Sequence, residues 1–178
     1  IVSMYVVRNF FLQKDNPDFA TARLLIDKMI ESQPKNNALK TLQQTVRNCT
    51  PITHNSSVPK FAAYDINGKQ VNNAMLAKAD TAVVIAWATW NYSSMSMLQT
   101  VAQIQKEKGS KMKVLGVCLD YSRSLCRTAL RQRDMDDIPT VCDGKAVDGD
   151  VYNRLGMSNL PDTIVIEQGR VTATGLRL

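Results

Sequence analysis

A single histidine in 178 residues, His54, constrains this chain first. A His-based zinc site, a Ser–His pair or a Cys–His pair would each have to be built on it. It lies in a stretch rich in Thr, Asn and Ser and reads as a solvated loop residue. Cysteine is scarce too. Cys49, Cys118, Cys126 and Cys142 are scattered, and no two of them form a Cys-x-x-Cys pair. Aromatic residues are only 6% of the chain, so aliphatic and Met side chains must fill much of the core. No apolar run approaches the roughly 18–20 residues of a membrane span, and the most apolar stretch, residues 82–88, is strand length. Neither an initiating Met nor a basic-plus-apolar leader is visible, so the chain is expected to be a processed piece whose targeting signal or membrane anchor lies outside it. No metal or cofactor is expected from these residues.

What is present is a chain of ordinary globular composition, 44% hydrophobic and 21% charged, with a net charge of +6. Up to Pro59 there are seven Lys/Arg against four Asp/Glu, and from Lys60 onward fifteen against twelve, so the excess is spread thinly. Arg123, Arg127 and Arg131 recur every four residues and read as a solvated helix face. No aromatic residues interleave with them, and nucleic acid is not expected as a partner.

Two regions separate around residues 50–59, a linker of turn-forming residues with two prolines. Residues 1–49 form a helical segment. Val2, Tyr5, Val6, Phe10 and Leu12 predict a first helix ending at Asp15-Asn16-Pro17. Phe19, Ala22, Leu25, Ile26, Met29 and Ile30 predict a second, opened by Pro17 and stopped by Pro34. Leu39, Leu42 and Val46 predict a third over residues 37–48.

Residues 60–178 alternate strands and helices. Residues 61–64 and 69–71 read as a hairpin around Asn67-Gly68, a pair suited to a type I′ turn. The apolar run 82–88 reads as a strand covered on both faces. A helix is expected over residues 93–108 with Gly109 at its C-terminus, then a strand at 114–119. Ser122 is placed to cap a helix to about residue 133. A short strand at 139–142 follows, then a brief helix capped by Asp148 or Asp150. A closing hairpin turns at Gln168-Gly169. The order predicts an α/β domain with a mixed central sheet.

The segment Val84-Ile-Ala-Trp-Ala-Thr-Trp-Asn-Tyr-Ser-Ser94 resembles the active-site strand and helix start of the thioredoxin-like superfamily, usually W-A-[ST]-W-C-x-x-C. Four further pieces follow the same order. Val58-Pro-Lys-Phe61 and Asp65-Ile-Asn-Gly-Lys69 resemble the opening of envelope thiol–disulfide oxidoreductases and peroxiredoxins. Val114-Leu-Gly-Val-Cys-Leu-Asp120 resembles their V-x-G-V-S-x-D strand. Leu160-Pro161-Asp-Thr-Ile-Val-Ile166 resembles the segment that carries the family's cis proline. The resemblance covers about residues 58–174. It implies a thioredoxin-like three-layer sandwich with a mixed central sheet, preceded by the short helical segment, and a periplasmic or envelope-anchored location. The family's last helix is not visible, and the C-terminus is therefore expected to be clipped as well.

Family chemistry needs a thiolate at a helix N-terminus and a second thiol three residues later. Those positions hold Asn91 and Ser94. Neither residue can form a disulfide, so dithiol exchange there is excluded by composition, and a peroxidatic cysteine is lost in the same way. Asn91 is a good N-cap residue, which explains its presence without catalysis. The resemblance still implies a groove of Trp90, Asn91, Tyr92, Leu160 and Pro161 able to bind a peptide or partner protein, while Trp87 reads as core. Cys118, Cys126 and Cys142 fall on a strand, the next helix and the next strand. They can be small buried hydrophobes, a structural disulfide or a displaced redox centre. Cys49 falls in the linker. Two functions therefore compete: a non-redox binding module, and an oxidoreductase working through the non-motif cysteines.

Overall fold

The computed structural model describes residues 2–12, 18–48, 52 and 54–175. Cys49, Pro17 and the Asp15-Asn16 break lie outside the described residues.

The first region is helical. α1 (Val2–Val7) runs into a π-helical turn at Arg8–Leu12, followed by α2 (Phe19–Ser32) and α3 (Asn37–Asn48). Asp18 caps α2, its carboxylate accepting from the Thr21 amide at 2.9 Å. Val7, Phe19, Ala22, Ile26, Leu42 and Val46 bury one another in a small core of their own. The Arg23 guanidinium donates to the Val46 carbonyl and ties α2 to the last turn of α3.

The second region is built on a five-stranded sheet of order β5-β4-β3-β6-β7, comprising β3 (Thr81–Trp87), β4 (Met112–Cys118), β5 (Thr140–Val141), β6 (Asp162–Glu167) and β7 (Arg170–Thr174). β3, β4 and β5 are parallel, while β6 and β7 run antiparallel to their neighbours, which makes the sheet mixed. Alternation along β3 feeds two cores. Ala82, Val84 and Ala86 face one side with Val117 of β4, Leu76 and Leu155. Val83, Ile85 and Trp87 face the other with α5 (Tyr92–Lys108) and α6 (Arg123–Arg131). α4 (Asn73–Ala77), α7 (Asp150–Arg154) and the hairpin over residues 62–72 cover the first side, and α3 packs against α7. A strand buried on both faces has no polar positions to give away, which is why β3 reads as a continuous apolar run.

Several expectations change. β1 (Ala62–Tyr64) and β2 (Gln70–Asn72) pair as a separate two-stranded sheet. Their turn is not type I′, because Gly68 has a positive φ and Asn67 does not. Instead Asp65 Oδ1 accepts from the Asn67 and Lys69 amides and shapes a wider loop. Neither Asp148 nor Asp150 caps α7; Gly149 holds that position without a side-chain bond. α4 was not anticipated, although Asn72 caps it in the ordinary way, accepting from Met75 N at 3.0 Å. The Arg stripe is only partly solvated. Arg123 Nε donates to the Cys142 carbonyl at 2.7 Å and Arg127 to the Ile66 carbonyl, so both anchor α6 to loops.

Candidate functional site

Parallel strands gather their C-terminal ends at one edge of the sheet. Register pairs Trp87 with Cys118 and Ala86 with Asp162, so three loops share that edge: those after β3 and after β4, and the one before β6. The chain leaves β3 through Ala88 and Thr89, exposes Trp90, and turns into α5 at Asn91.

Asn91 starts that helix. Its Oδ1 accepts from the Ser94 amide at 2.8 Å, the N-cap bond expected of Asn. Ser94 is fully buried. Its hydroxyl donates to the Asn91 carbonyl at 2.9 Å and accepts from the Ala88 amide at 3.1 Å. Both polar side chains at the motif are therefore occupied in holding the strand-to-helix turn. His54, the one imidazole, sits exposed in a turn next to Asn55, whose amide donates to Val171 of the far strand β7. Among the described residues, the hydrogen bonds of the Ser94 hydroxyl all go to backbone groups, and none to a side-chain base.

The side chains at this end of the sheet include exposed aromatics. Trp90 is 67% exposed and Tyr92 88%, and Tyr121, just past β4, is 81% exposed. Trp87 is fully buried, in agreement with a core role. In the loop before β6 the Leu160–Pro161 peptide bond is cis. Its loop is pinned by Asp162, whose carboxylate accepts from the Ser158, Asn159 and Thr163 amides. Tyr152 OH adds a bond to the Asn159 carbonyl at 3.2 Å. Neither backbone group of Leu160 hydrogen-bonds within the described residues.

Tyr121 and the residues beneath it were not read as site residues from the sequence. Asp120 is 97% hidden and clamps the two strand ends together: its carboxylate accepts from Thr89 N at 3.1 Å and Thr89 Oγ1 at 3.0 Å. The signal that could have found both is the parallel arrangement itself, which sets residues following β4 beside those following β3.

Cys118, Cys126 and Cys142 are all free, all buried, and their sulfurs lie within 4.8 Å of one another. The disulfide reading is absent from this state. Cys118 Sγ is 3.3 Å from Asp120 Oδ2, and Cys142 Sγ is 3.3 Å from the Asp120 carbonyl oxygen. Hydrogen bonds with Cys126 and then Cys142, joined by burial, push the Cys118 thiol up. For Cys126 the bond with Cys118 pulls down, but the bond with Cys142 and burial outweigh it and the net shift is upward. Cys142 moves the other way. The Cys118 and Cys126 thiols hydrogen-bond to it, the Gly144 amide and Arg123 guanidinium act in the same sense, and burial opposes them. The Asp120 carbonyl oxygen favours a protonated Cys142, yet four favourable partners outnumber it and the direction stands as downward.

Among solved structures, similar chains match this one at low identity. A thiol–disulfide oxidoreductase from Bacteroides fragilis is 20% identical, with 69% of this chain and 92% of that one covered at a TM-score of 0.60. The thioredoxin domain of a thiol–disulfide oxidoreductase from Bacteroides vulgatus is 18% identical, covering 71% and 91% at 0.61. This chain has a thioredoxin-like fold. A DsbF homologue from Corynebacterium diphtheriae adds a third thioredoxin-like match, 23% identical over 69% of this chain and 78% of that one, at 0.60. No protein-family model and no curated protein sequence matches the chain. No helix among the described residues is long and apolar enough to cross a membrane.

Proposed function

We propose that this chain is a non-redox binding module of the cell envelope that holds an extended peptide segment of a partner protein across the loops at the C-terminal ends of β3 and β4. One observation carries the reading. Trp90, Tyr92 and Tyr121 stand exposed around a helix start whose polar groups, Asn91 and Ser94, are committed to structure. Exposed aromatics are costly to leave in water and are the residues most enriched at binding hot spots. The free backbone of Leu160, beside Pro161, offers a donor and an acceptor to an extended chain. The envelope location follows the motif resemblance.

Fluorescence tests this directly, because Trp87 is buried and Trp90 is the solvent-exposed indole. Titrating the full chain with a reduced, alkylated, unfolded polypeptide should shift Trp90 emission and protect it from iodide quenching. Trp90→Ala should weaken binding by about thirtyfold, the scale of a hot-spot loss near 2 kcal/mol. Dithiol-dependent reduction of insulin by the unaltered chain would overturn the non-redox reading.

A second reading has one observation in its favour. The three sulfurs are close enough together for a pair to form a disulfide after small movements, so an oxidoreductase using Cys118, Cys126 or Cys142 retains a structural basis. Against it stands burial, since exchange with a protein disulfide needs in-line access to sulfur. Mass spectrometry across a redox titration decides it: a pair cycling between dithiol and disulfide near envelope potentials would favour this reading over the first.

A further inference from the structure

The three thiols meet through topology. Cys118 ends β4, Cys142 follows β5 directly, and Cys126 lies on α6, the crossover helix between those two parallel strands. Register pairs Val117 with Val141, so Cys118 and Cys142 leave adjacent strands side by side. Cys126 shares the buried face of α6 with Ala129 and Leu130 and closes the triangle from above. Ligand sulfurs around a single ion with metal–sulfur bonds of about 2.3 Å sit roughly 4 Å apart. A triangle whose sulfurs all lie within 4.8 Å needs only a small contraction to reach that geometry.

The surroundings are also not those of plain apolar packing. Arg123 is fixed against the Cys142 carbonyl at 2.7 Å and brings a positive charge to a cluster that would carry negative charge as thiolates. Asp120 Oδ2 lies 3.3 Å from Cys118 Sγ, but both oxygens of that carboxylate already accept from Thr89, through its amide and its hydroxyl. His54 belongs to a segment that pairs with β7 at Arg170, opposite the sheet edge where Cys118 lies. The described residues thus assemble three sulfurs as one candidate ligand group, with the adjacent Asp120 carboxylate already hydrogen-bonded to Thr89.

We infer that Cys118, Cys126 and Cys142 form a three-sulfur binding site for one soft, thiophilic cation of low coordination number, with Cu(I) as the ion. Thiolates select Cu(I), zinc and iron–sulfur clusters. Zinc held by three cysteines still needs a water or another donor to complete four-coordination, and iron–sulfur clusters are held by four cysteines, whereas Cu(I), a soft monovalent ion, is satisfied by three thiolates in a buried, dry triangle. Binding forms three copper–sulfur bonds, and the protons still carried by the thiols leave to water. Burial that shuts out a protein disulfide admits a single ion through local opening of α6, a helix of nine residues. This site is separate from the peptide surface and does not depend on it.

The test uses the full reduced chain under anaerobic conditions, titrated with Cu(I) in competition with bathocuproine disulfonate. The expected result is one Cu(I) per chain, with sulfur-to-copper charge-transfer absorption and a three-sulfur shell in X-ray absorption. Cys118→Ser, Cys126→Ser and Cys142→Ser should each weaken binding by more than about a hundredfold, beyond the loss seen when an outer-shell partner is removed. Cys49→Ser and Trp90→Ala should leave it unchanged. Because a buried substitution can prevent folding, the wild-type absorption shell and a Cu(I)-dependent rise in melting temperature provide the independent readout. A two-sulfur shell, a nitrogen or oxygen in the shell, loss of binding in Cys49→Ser, preference for Zn(II), or no competition at all would each overturn the assignment.

Discussion

Two places in this molecule divide between them what thiol chemistry requires. At the start of α5 there is exposure without a nucleophile: Trp90 and Tyr92 face water, while Asn91 and Ser94 hold the helix start. One layer below, at Cys118, Cys126 and Cys142, there are nucleophiles without exposure. Reactivity with a macromolecular substrate needs both in one place. Their separation sets this chain apart from what exchange with a protein disulfide requires, and the proposed binding role rests on it.

The largest effect should come from reuniting them. In Asn91→Cys combined with Ser94→Cys, the first thiol gains a helix N-terminus and the second replaces a buried hydroxyl of similar size. Oxidation should then remove two hydrogens by mass, and insulin reduction should rise from background to measurable turnover. Failure of the pair to form would mean that the exposed end has lost the geometry as well as the cysteines.

Asp120 links the two places, since it accepts from Thr89 above and from Cys118 below. Asp120→Ala leaves buried donors unsatisfied and should cost about 3 kcal/mol in urea unfolding, more than a typical core truncation of one methylene. Gly116 is a site of close approach beneath the same edge. A Cβ there would lie 2.7 Å from Thr140 Oγ1 and 3.0 Å from Trp87 Nε1, so Gly116→Ala should destabilise by about 2 kcal/mol through overpacking. Asn91→Ala removes only the cap and should cost about 1 kcal/mol, with Asn91→Ser recovering most of it.

A last effect, read as a pH dependence, is electrostatic and separates the sulfurs from one another. Cys142 has a lowered pKa in the folded chain, so below the ordinary thiol value of 9.0 the unfolded state binds the extra proton. Its contribution to stability is present at that value and is lost as pH falls through the folded value. Cys118 and Cys126 are raised, so their contribution is present below 9.0 and declines as pH rises above it. The melting-temperature difference between wild type and Cys142→Ser should therefore grow with rising pH below 9.0. A flat difference would mean that Cys142 is held as a thiol by the Asp120 carbonyl oxygen.

Local features of the site were legible in the sequence because they obey local rules. The apolar run became β3, Asn91 caps α5, and Ser122 caps α6 by accepting from Leu125 N. Turn chemistry was legible where two positive-φ residues fall together, as at Gln168 and Gly169. It misled at Asn67-Gly68, where the Asp65 carboxylate organises a wider loop that no dipeptide signature specifies. The Arg123 and Arg127 spacing correctly described one side of a helix but not its surroundings, since neighbouring loops supply carbonyls that draw both side chains in.

By itself, then, the sequence determined the composition of the motif at the start of α5: no cysteine at Asn91 or Ser94 means no disulfide there, whatever the fold. It also determined the period of each strand and helix, because hydrophobic alternation is a property of the chain. Only the tertiary structure decided which side chains meet. Cys118, Cys126 and Cys142 stand eight and sixteen residues apart in the chain, and parallel pairing with a crossover helix brings their sulfurs within 4.8 Å. Asp120 becomes a neighbour of Thr89 in the loop after β3 through the same pairing. Proximity across strands depends on register and chirality, and these are set by the packing of the whole sheet.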